Sequence, residues 1–302
     1  MLFDISGITI DTLADELFTQ KQVSVQVLRL DKIHPVVSGN KLFKLQYFLE
    51  ETLSSGHKTL LTFGGAYSNH LVATAFACSA LKIKSIGVVR GEMPVSISLT
   101  LQQCIAFGMQ LKFISRDKYA TKQEPDFLHE LQNEFGKFLL VPEGGYHPSG
   151  ARGASHIIDL IKDPPYTHIC TAAGTATTLA GLLMASDPGQ KIMAIPVVKG
   201  PSDINERIKY LLGDTTKIKQ LEVLENYHFG GYAKKTAVLT GFMNHCWQRF
   251  RLPLDFIYTA KMLYAVIDAV KNDHFQKNSN IICIHTGGLQ GNHSLPVDTL
   301  IY

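Results

Sequence analysis

Between about residues 20 and 290 the apolar positions fall into short runs whose period keeps changing. Val23, Val25 and Val27 recur at every second residue, so Val23–Leu30 is a predicted strand. Leu42, Leu45, Phe48, Leu49 and Leu53 recur at helical spacing, and Gly56 ends the run. Further strands are predicted at Thr59–Phe63, Lys84–Val89, Gln110–Ser115, Phe138–Val141, His168–Ala172, Lys191–Val198 and Asn280–His285. Helices are predicted from a Ser68 cap to Leu81, at Ile97–Phe107 and Pro125–Phe135, and near Gly153–Ile161. Four more follow at Thr177–Ala185, Ser202–Leu212, Thr236–Phe250 and Lys261–Lys271. Residues 8–20 read as a short apolar lead-in. Strands and helices taking turns in this way predict an α/β fold with mostly parallel sheet.

Composition narrows the classes. The chain has 302 residues, 45% hydrophobic and 18% charged, enough for a large core or for two domains. A net charge of +3 gives no case for a nucleic-acid partner or an anionic membrane surface. No apolar stretch reaches the ~20 residues of a membrane span. Met1–Gly7 lacks the basic-then-apolar pattern of a signal peptide. Cys78, Cys104, Cys170, Cys246 and Cys283 are odd in number, widely spaced and set mostly in apolar runs. They read as reduced core residues of a cytoplasmic protein, not as disulfides or metal ligands.

The candidate chemistry begins at Ser38-Gly39-Asn40-Lys41-Leu42-Phe43-Lys44, a turn that delivers a lysine onto a helix. Lys41 and Lys44 share a face of the first turn, where two ammonium groups meet the positive helix end. A lysine held as a Schiff base, with a phosphate beside its neighbour, satisfies both charges. On spacing alone, a solvated lysine pair is the competing reading. Gly-Gly pairs stand at 64-65, 144-145, 230-231 and 287-288, and three directly follow apolar or β-type runs. In open parallel sheets ligands bind beyond such strand ends. The strongest phosphate candidate is the stretch Ala172–Gly181, which contains Ala173-Gly174-Thr175-Ala176-Thr177. Free N–H groups at the helix start and threonine hydroxyls there would hold a dianion. The stretch is neither a Walker loop nor Gly-x-Gly-x-x-Gly, which disfavours a dinucleotide. Gly64-Gly65-Ala66-Tyr67-Ser68-Asn69-His70 offers hydroxyl, amide and N–H groups for a carboxylate or a ring hydroxyl; a plain Ser68 helix cap is the alternative. A hydrolase with Ser68 and His70 is disfavoured, because Gly-x-Ser-x-Gly is missing and residues two apart on a helix do not face each other.

Ser-Gly-Asn-Lys-x-x-Lys, Gly-Gly-x-x-Ser-Asn-His, the Gly-Thr-x-Thr loop and His285-Thr286-Gly287-Gly288 occur in that order. Together they resemble the fold-type-II, pyridoxal-phosphate-dependent family of D-cysteine desulfhydrases and 1-aminocyclopropane-1-carboxylate deaminases. The resemblance covers nearly the whole chain. It implies a two-domain, tryptophan-synthase-β-like fold. Residues 1–45 and 151–302 would form a large cofactor-binding domain, and residues 46–150 a small one. It implies pyridoxal 5'-phosphate carried by Lys41, its phosphate held by Lys44 and by Ala173, Gly174, Thr175, Ala176 and Thr177. Asn69 would bond the ring hydroxyl and Thr286 would face the ring nitrogen, with Thr259 close by. Tyr67, Ser68, Asn69 and His70 would meet a small amino-acid substrate. Lys41, Ser68, Tyr232 and Tyr258 would be the catalytic set, and a homodimer is the implied assembly.

Two positions bear on the reaction. Ring-opening members resemble one another in having Glu after the second tyrosine and Leu between His and Gly-Gly; this chain has Thr259 and Thr286. That resembles the D-cysteine side, which yields pyruvate, hydrogen sulfide and ammonia. Cyclopropane-amino-acid deamination or another D-amino-acid elimination is the alternative, and a non-catalytic cofactor-binding protein is the alternative of another class. There are two departures. Leu28-Arg29-Leu30-Asp31-Lys32-Ile33 replaces a Lys-Arg-Asp-Asp-like run, and Tyr67 stands where Gln is frequent.

Overall fold

Strand pairing divides the described residues between two sheets, one of six strands and one of four. The protein is seen in a computed structural model, which describes residues 2–34, 37, 39–163, 165–200 and 203–302. The chain begins with β1 (Ile10–Thr12), α1 (Glu16–Gln20), β2 (Ser24–Arg29) and α2 (Lys41–Ser54). Next come β3 (Thr59–Gly64), α3 (Asn69–Ala80), β4 (Lys84–Arg90), α4 (Leu99–Ala106), β5 (Gln110–Ile114), α5 (Arg116–Ala120), α6 (Pro125–Phe135) and β6 (Leu139–Val141). The rest is α7 (Pro148–Ser155), β7 (His168–Ala173), α8 (Thr177–Ala185), β8 (Lys191–Pro196), α9 (Ile204–Leu212), β9 (Leu221–Val223), α10 (Ala237–Phe250), α11 (Thr259–Lys271) and β10 (Asn280–His285).

The six-stranded sheet runs β1-β2-β10-β7-β8-β9 and the four-stranded sheet β5-β4-β3-β6. Every pairing is parallel except the edge pair β1–β2. Central parallel strands are covered on both faces, so they read as unbroken apolar runs, such as Ile281–Ile284 in β10. Helices α10 and α11 cover one face of the larger sheet. Helices α7, α8 and α9 cover the other. The smaller sheet lies between α2, α3 and α4 on one side and α5 and α6 on the other. Helix α2 serves both cores. Its Phe43 packs with the large-sheet residues, whereas Leu42, Leu45, Phe48 and Leu49 pack with the small-sheet residues.

Most predicted elements appear within a residue or two of their places. One helix differs. The run near Gly153–Ile161 is helical earlier, at Pro148–Ser155, because Pro148 opens the helix after a His147 cap. Its last part is a 3₁₀ turn at Ile158–Leu160. The lead-in at 8–20 splits into β1 and α1, and α5 and β9 are too short to show a period. Leu53 is 51% exposed, so the buried stripe of α2 stops short of it. Ser38 and Ser202, the predicted starts of a turn and a helix, lie outside the described residues.

Two local devices fix the end of β10 beside the start of α2. Gly39 has φ +93°, and a Cβ there would stand 1.8 Å from the Thr286 carbonyl oxygen. The next residue, Asn40, donates its backbone N–H to that same oxygen at 3.1 Å. Beneath them Arg29 clasps Asp31 through Nε and Nη2 at 2.8 and 2.6 Å, and donates Nη1 to Asp11 at 2.6 Å. His285 Nδ1 lies 3.2 Å from Asp31. Burial works to raise the Asp31 pKa, but His285 and Arg29 outweigh it and hold the carboxyl below its ordinary value. Arg29→Met should therefore cost roughly 3–5 kcal/mol at neutral pH, since Asp31 stays buried without its main partner. A depressed carboxyl pKa stabilises the fold above its unfolded value of 3.8, and this is lost as pH falls through the folded value. Urea-unfolding curves of wild type and variant should converge on acidification; a gap that persists unchanged at low pH would refute this account.

Candidate active site

Lys41, Lys44, Asn69, Gly174, Thr175, Ala176, Thr177, Tyr258 and Thr286 line one cavity. These residues come from five separate stretches of sequence, each at the start of a helix or the end of a strand. Lys41 opens α2 and donates Nζ to Asn40 Oδ1 at 2.7 Å. Asn40 is itself held, donating Nδ2 to Thr178 Oγ1 at 2.6 Å. The Lys41 ammonium lies 5.9 Å from the centre of the Tyr258 ring. Burial pushes the Lys41 pKa down to about 8, with the Asp255 carboxylate acting in the opposite direction. Lys44 is buried one turn further on and reaches the Gly144 carbonyl at 3.3 Å. Burial and then the Lys41 charge push its pKa well down.

Opposite Lys44 stands the start of α8. Ala176 takes a left-handed conformation, φ 61°, and no side chain caps the helix. Its first N–H groups are left for another acceptor. The Thr175 and Thr177 hydroxyls are 2.9 Å apart beside them. Uncapped N–H groups, two hydroxyls and a buried lysine could together hold a phosphate. Across the cavity Asn69 donates Nδ2 to the Gly288 carbonyl at 2.8 Å, and its buried Oδ1 has no partner among the described residues. That unused acceptor suits a ring hydroxyl. A cofactor with a carbonyl for Lys41, a hydroxylated ring and a phosphate fits this donor set.

The remaining sequence candidates sit elsewhere. Ala173 ends β7, buried just behind the cup. Ser68 caps α3, its Oγ accepting from Leu71 N at 3.2 Å. Tyr67 is 43% exposed. His70 is buried below the cleft, with Nε2 2.8 Å from Thr62 Oγ1. Burial, then Lys41 and Lys44, push its pKa down to about 3, so the imidazole is neutral. Tyr232 is half-exposed and meets the cavity through Tyr258, whose hydroxyl donates to its own at 3.4 Å. Thr259 does not reach the cavity wall: it is wholly buried and donates Oγ1 to Asp255 at 2.7 Å.

Asp255 is the residue that pattern reading missed. Its carboxylate accepts the backbone N–H groups of Ile257, Tyr258 and Thr259 at 3.0, 2.7 and 3.0 Å, which sets Tyr258 at the head of α11. The Asp-x-x-Tyr-Thr spacing was a capping signal in plain view. Lys261 was also missed. It is wholly buried and donates to the Val197 and Gly231 carbonyls at 3.3 and 2.8 Å. Burial lowers its pKa to about 8 against the pull of the same Asp255.

A lysine amine beside a phosphate cup, at the carboxyl ends of two parallel sheets, defines an α/β enzyme that uses a phosphorylated carbonyl cofactor. The chain belongs to the pyridoxal-phosphate dependent enzyme family, whose pattern matches residues 12–287. A Pyrococcus abyssi protein provisionally named 1-aminocyclopropane-1-carboxylate deaminase is 28% identical over 284 residues, 89% of this chain and 86% of that protein. The Arabidopsis thaliana bifunctional D-cysteine desulfhydrase/1-aminocyclopropane-1-carboxylate deaminase is 26% identical over 280 residues, covering 84% of this chain and 70% of its own length. Among solved structures, an ACC deaminase homologue superposes with a TM-score of 0.80 at 24% identity, covering 96% of this chain and 92% of the other.

Two outcomes follow from the geometry. In cofactor-free protein, acylation of Lys41 followed by mass spectrometry should rise with pH to a midpoint near 8. Asp255→Asn removes an attraction that favours the ammonium, so the midpoint should move down; an upward move would contradict the assignment. Gly174 leaves only 3.2 Å between a would-be Cβ and Tyr258 Cε1. Gly174→Val should thus weaken cofactor binding by at least about tenfold, by equilibrium dialysis, with the circular-dichroism spectrum preserved.

Proposed function

We propose that this enzyme catalyses β-elimination from a small amino acid, D-cysteine, giving pyruvate, hydrogen sulfide and ammonia. The observation that carries this reading is the cavity wall: among the described residues, no carboxylate lines it. Thr286 supplies a neutral hydroxyl there, and Thr259 is spent on Asp255. A carboxylate at a pyridine nitrogen would favour its protonated form and deepen the electron sink. Without one, a substrate with a good leaving group on Cβ is the better match. The competing reaction, opening of 1-aminocyclopropane-1-carboxylate, is kept because relatives bear its name.

In this reading Lys41 holds the cofactor aldehyde, Lys44 and the 174–177 turn hold its phosphate with Ala173 backing the turn, and Asn69 meets its ring hydroxyl. The cofactor, when bound, supplies the sink for the electrons left when the Cα proton is removed. Lys41 takes that proton. Its pKa near 8 leaves a useful fraction as free amine at neutral pH. Asn40 keeps the amine aimed, being tied to Thr178. Ser68, Asn69 and the Tyr67 backbone receive the substrate carboxylate, with His70 as a neutral support below. Tyr258 stays a phenol, since burial and then Tyr232 push its pKa well up. The Tyr258–Tyr232 pair can therefore hand a proton to the departing sulfur.

The two sheets are read as two domains, residues 1–45 with 151–302 and residues 46–150, and the cleft between them as the reaction chamber. All five cysteines are free and buried, which suits a cytoplasmic protein. Separately, no described helix is long and apolar enough to cross a membrane. A homodimer, the state that the family resemblance implies, is checked by light scattering. Pyruvate release at equal cofactor saturation decides the substrate: D-cysteine and β-chloro-D-alanine should outpace the cyclopropane amino acid. Lys41→Ala should lower turnover by at least ~10²-fold. Faster release from the cyclopropane substrate would promote the competing reaction, and none from any substrate would leave a cofactor-binding protein without this activity.

A further inference from the structure

The carboxyl edge of the small sheet carries chemistry that this reaction does not use. Strand β3 ends at Gly64 and leads to Ser68 and Asn69; its neighbour β4 ends at Arg90, and β5 is followed by Arg116. Strand β6, on the other side of β3, is followed by Glu143. Arg90, Arg116, Tyr119, Lys122 and Glu143 line a single pocket there. It holds three cations against one carboxylate. Lys122 pairs with Glu143 at 3.5 Å, but among the described residues neither arginine meets a carboxylate. Tyr119 is 3% exposed, and its hydroxyl lies near the Glu143 carboxylate but makes no hydrogen bond of good geometry among the described residues. The Lys122 ammonium and the Arg90 guanidinium lie 4.7 and 5.8 Å from its ring centre. Burial and then Glu143 push the Tyr119 pKa up, so it remains a donor.

This pocket adjoins the reaction site. Arg90 Nη2 lies 3.7 Å from where a side chain on Gly65 would begin, against the loop that carries Ser68. Glu143 precedes Gly144 on the cofactor-cavity wall, and an intervening hollow shares Lys122 and Glu143 with one pocket and Thr175 with the other. Arg90 and Arg116 are exposed, whereas the Tyr119 phenol that shares their pocket is buried. An anion there would give both arginines a charge-assisted partner and offer the Tyr119 hydroxyl a better-placed acceptor than Glu143.

We propose that this pocket holds an anionic group at the far end of the substrate side chain, a carboxylate, sulfonate or phosphate, so that the enzyme takes β-substituted amino acids whose leaving group bears that anion. The proposal rests on the elimination reading above and extends it: D-cysteine would leave the pocket unused. For O-phospho-D-serine the balance is simple. The Cα proton is removed, the Cβ–O bond breaks, phosphate leaves with the electron pair, and one water completes pyruvate and ammonia.

The test has a kinetic arm and a binding arm, both on cofactor-loaded protein. KM for O-phospho-D-serine should be at least ~10-fold below that for β-chloro-D-alanine, the scale of a charge-assisted hydrogen bond. Arg90→Gln and Tyr119→Phe should erode that preference by a similar factor. Calorimetry with D-2-amino-4-phosphonobutyrate, which has no group to expel from Cβ, should show binding that Arg90→Gln weakens at least ~10-fold. Equal KM values, or variants that weaken both substrates alike, would overturn the proposal. So would inorganic phosphate that binds as tightly as the phosphono amino acid and is lost with it in Arg90→Gln, since the pocket would then serve free anions. If neither substrate released pyruvate, the elimination reading would fall, while the calorimetric result would still decide the pocket.

Discussion

Two lysines one turn apart on a helix that joins two cores cannot both stay charged without an anion nearby. Burial already drives Lys44 toward neutrality, and the charge on Lys41 drives it further. Much of the cleft can be understood as the answer to that strain. Asp255 offers Lys41 partial compensation through space, and the open start of α8 prepares a place for the missing negative charge. A phosphate there would restore Lys44 to its charged form and leave Lys41 free for covalent chemistry. The same field that makes the cofactor-free cleft uncomfortable is therefore what recommends the cofactor to it.

Asp255 ties this electrostatic arrangement to geometry. One carboxylate orders three backbone N–H groups, aims Tyr258 and moderates two buried lysines, Lys41 and Lys261. Lys261 in turn grips the carbonyl of Gly231, the residue before Tyr232. The tyrosine pair at the mouth thus hangs from one acid–base cluster in the core. Arg29, Asp31 and His285 do comparable work on the other side, holding Thr286 and the α2 start in register.

The alternation of apolar periods was enough to read the parallel sheets, because strands covered on both faces leave unbroken apolar runs. Lys41, Lys44 and the 174–177 turn stood out as candidates for a different reason: their motifs mark where helices begin, and the fold brings those helix starts to one cavity. His70 shows where reading stops. Ser68 caps its helix as the sequence offered, but the His70 ring turns into the core toward Thr62. Which way a side chain turns is decided by neighbours distant in sequence. Asp255 left a capping signal in its spacing, but Lys261 was hidden, since burial of a charge depends on partners that spacing does not reveal. Thr259, expected near the ring nitrogen, has its hydroxyl engaged in the Asp255 cap, a partner that its place after Tyr258 did not announce. The basic rim at Arg90 and Arg116 was invisible because two separate strand ends must first be laid side by side.

The strand order has a consequence for how the molecule comes into being. Strand β10, made after every other described strand, lies between β2 and β7. The four-stranded sheet can pair entirely from residues 59–141, well before β10 is made. The larger sheet must wait, because its centre is missing until residues 280–285 emerge. Thr286 and Gly287 follow at once and finish the cavity wall. A ribosome-bound chain can thus hold an assembled small sheet and an exposed Lys41 while it still lacks the chamber. The Lys41 amine waits in the open until residues 280–287 arrive, and their pairing is what encloses it.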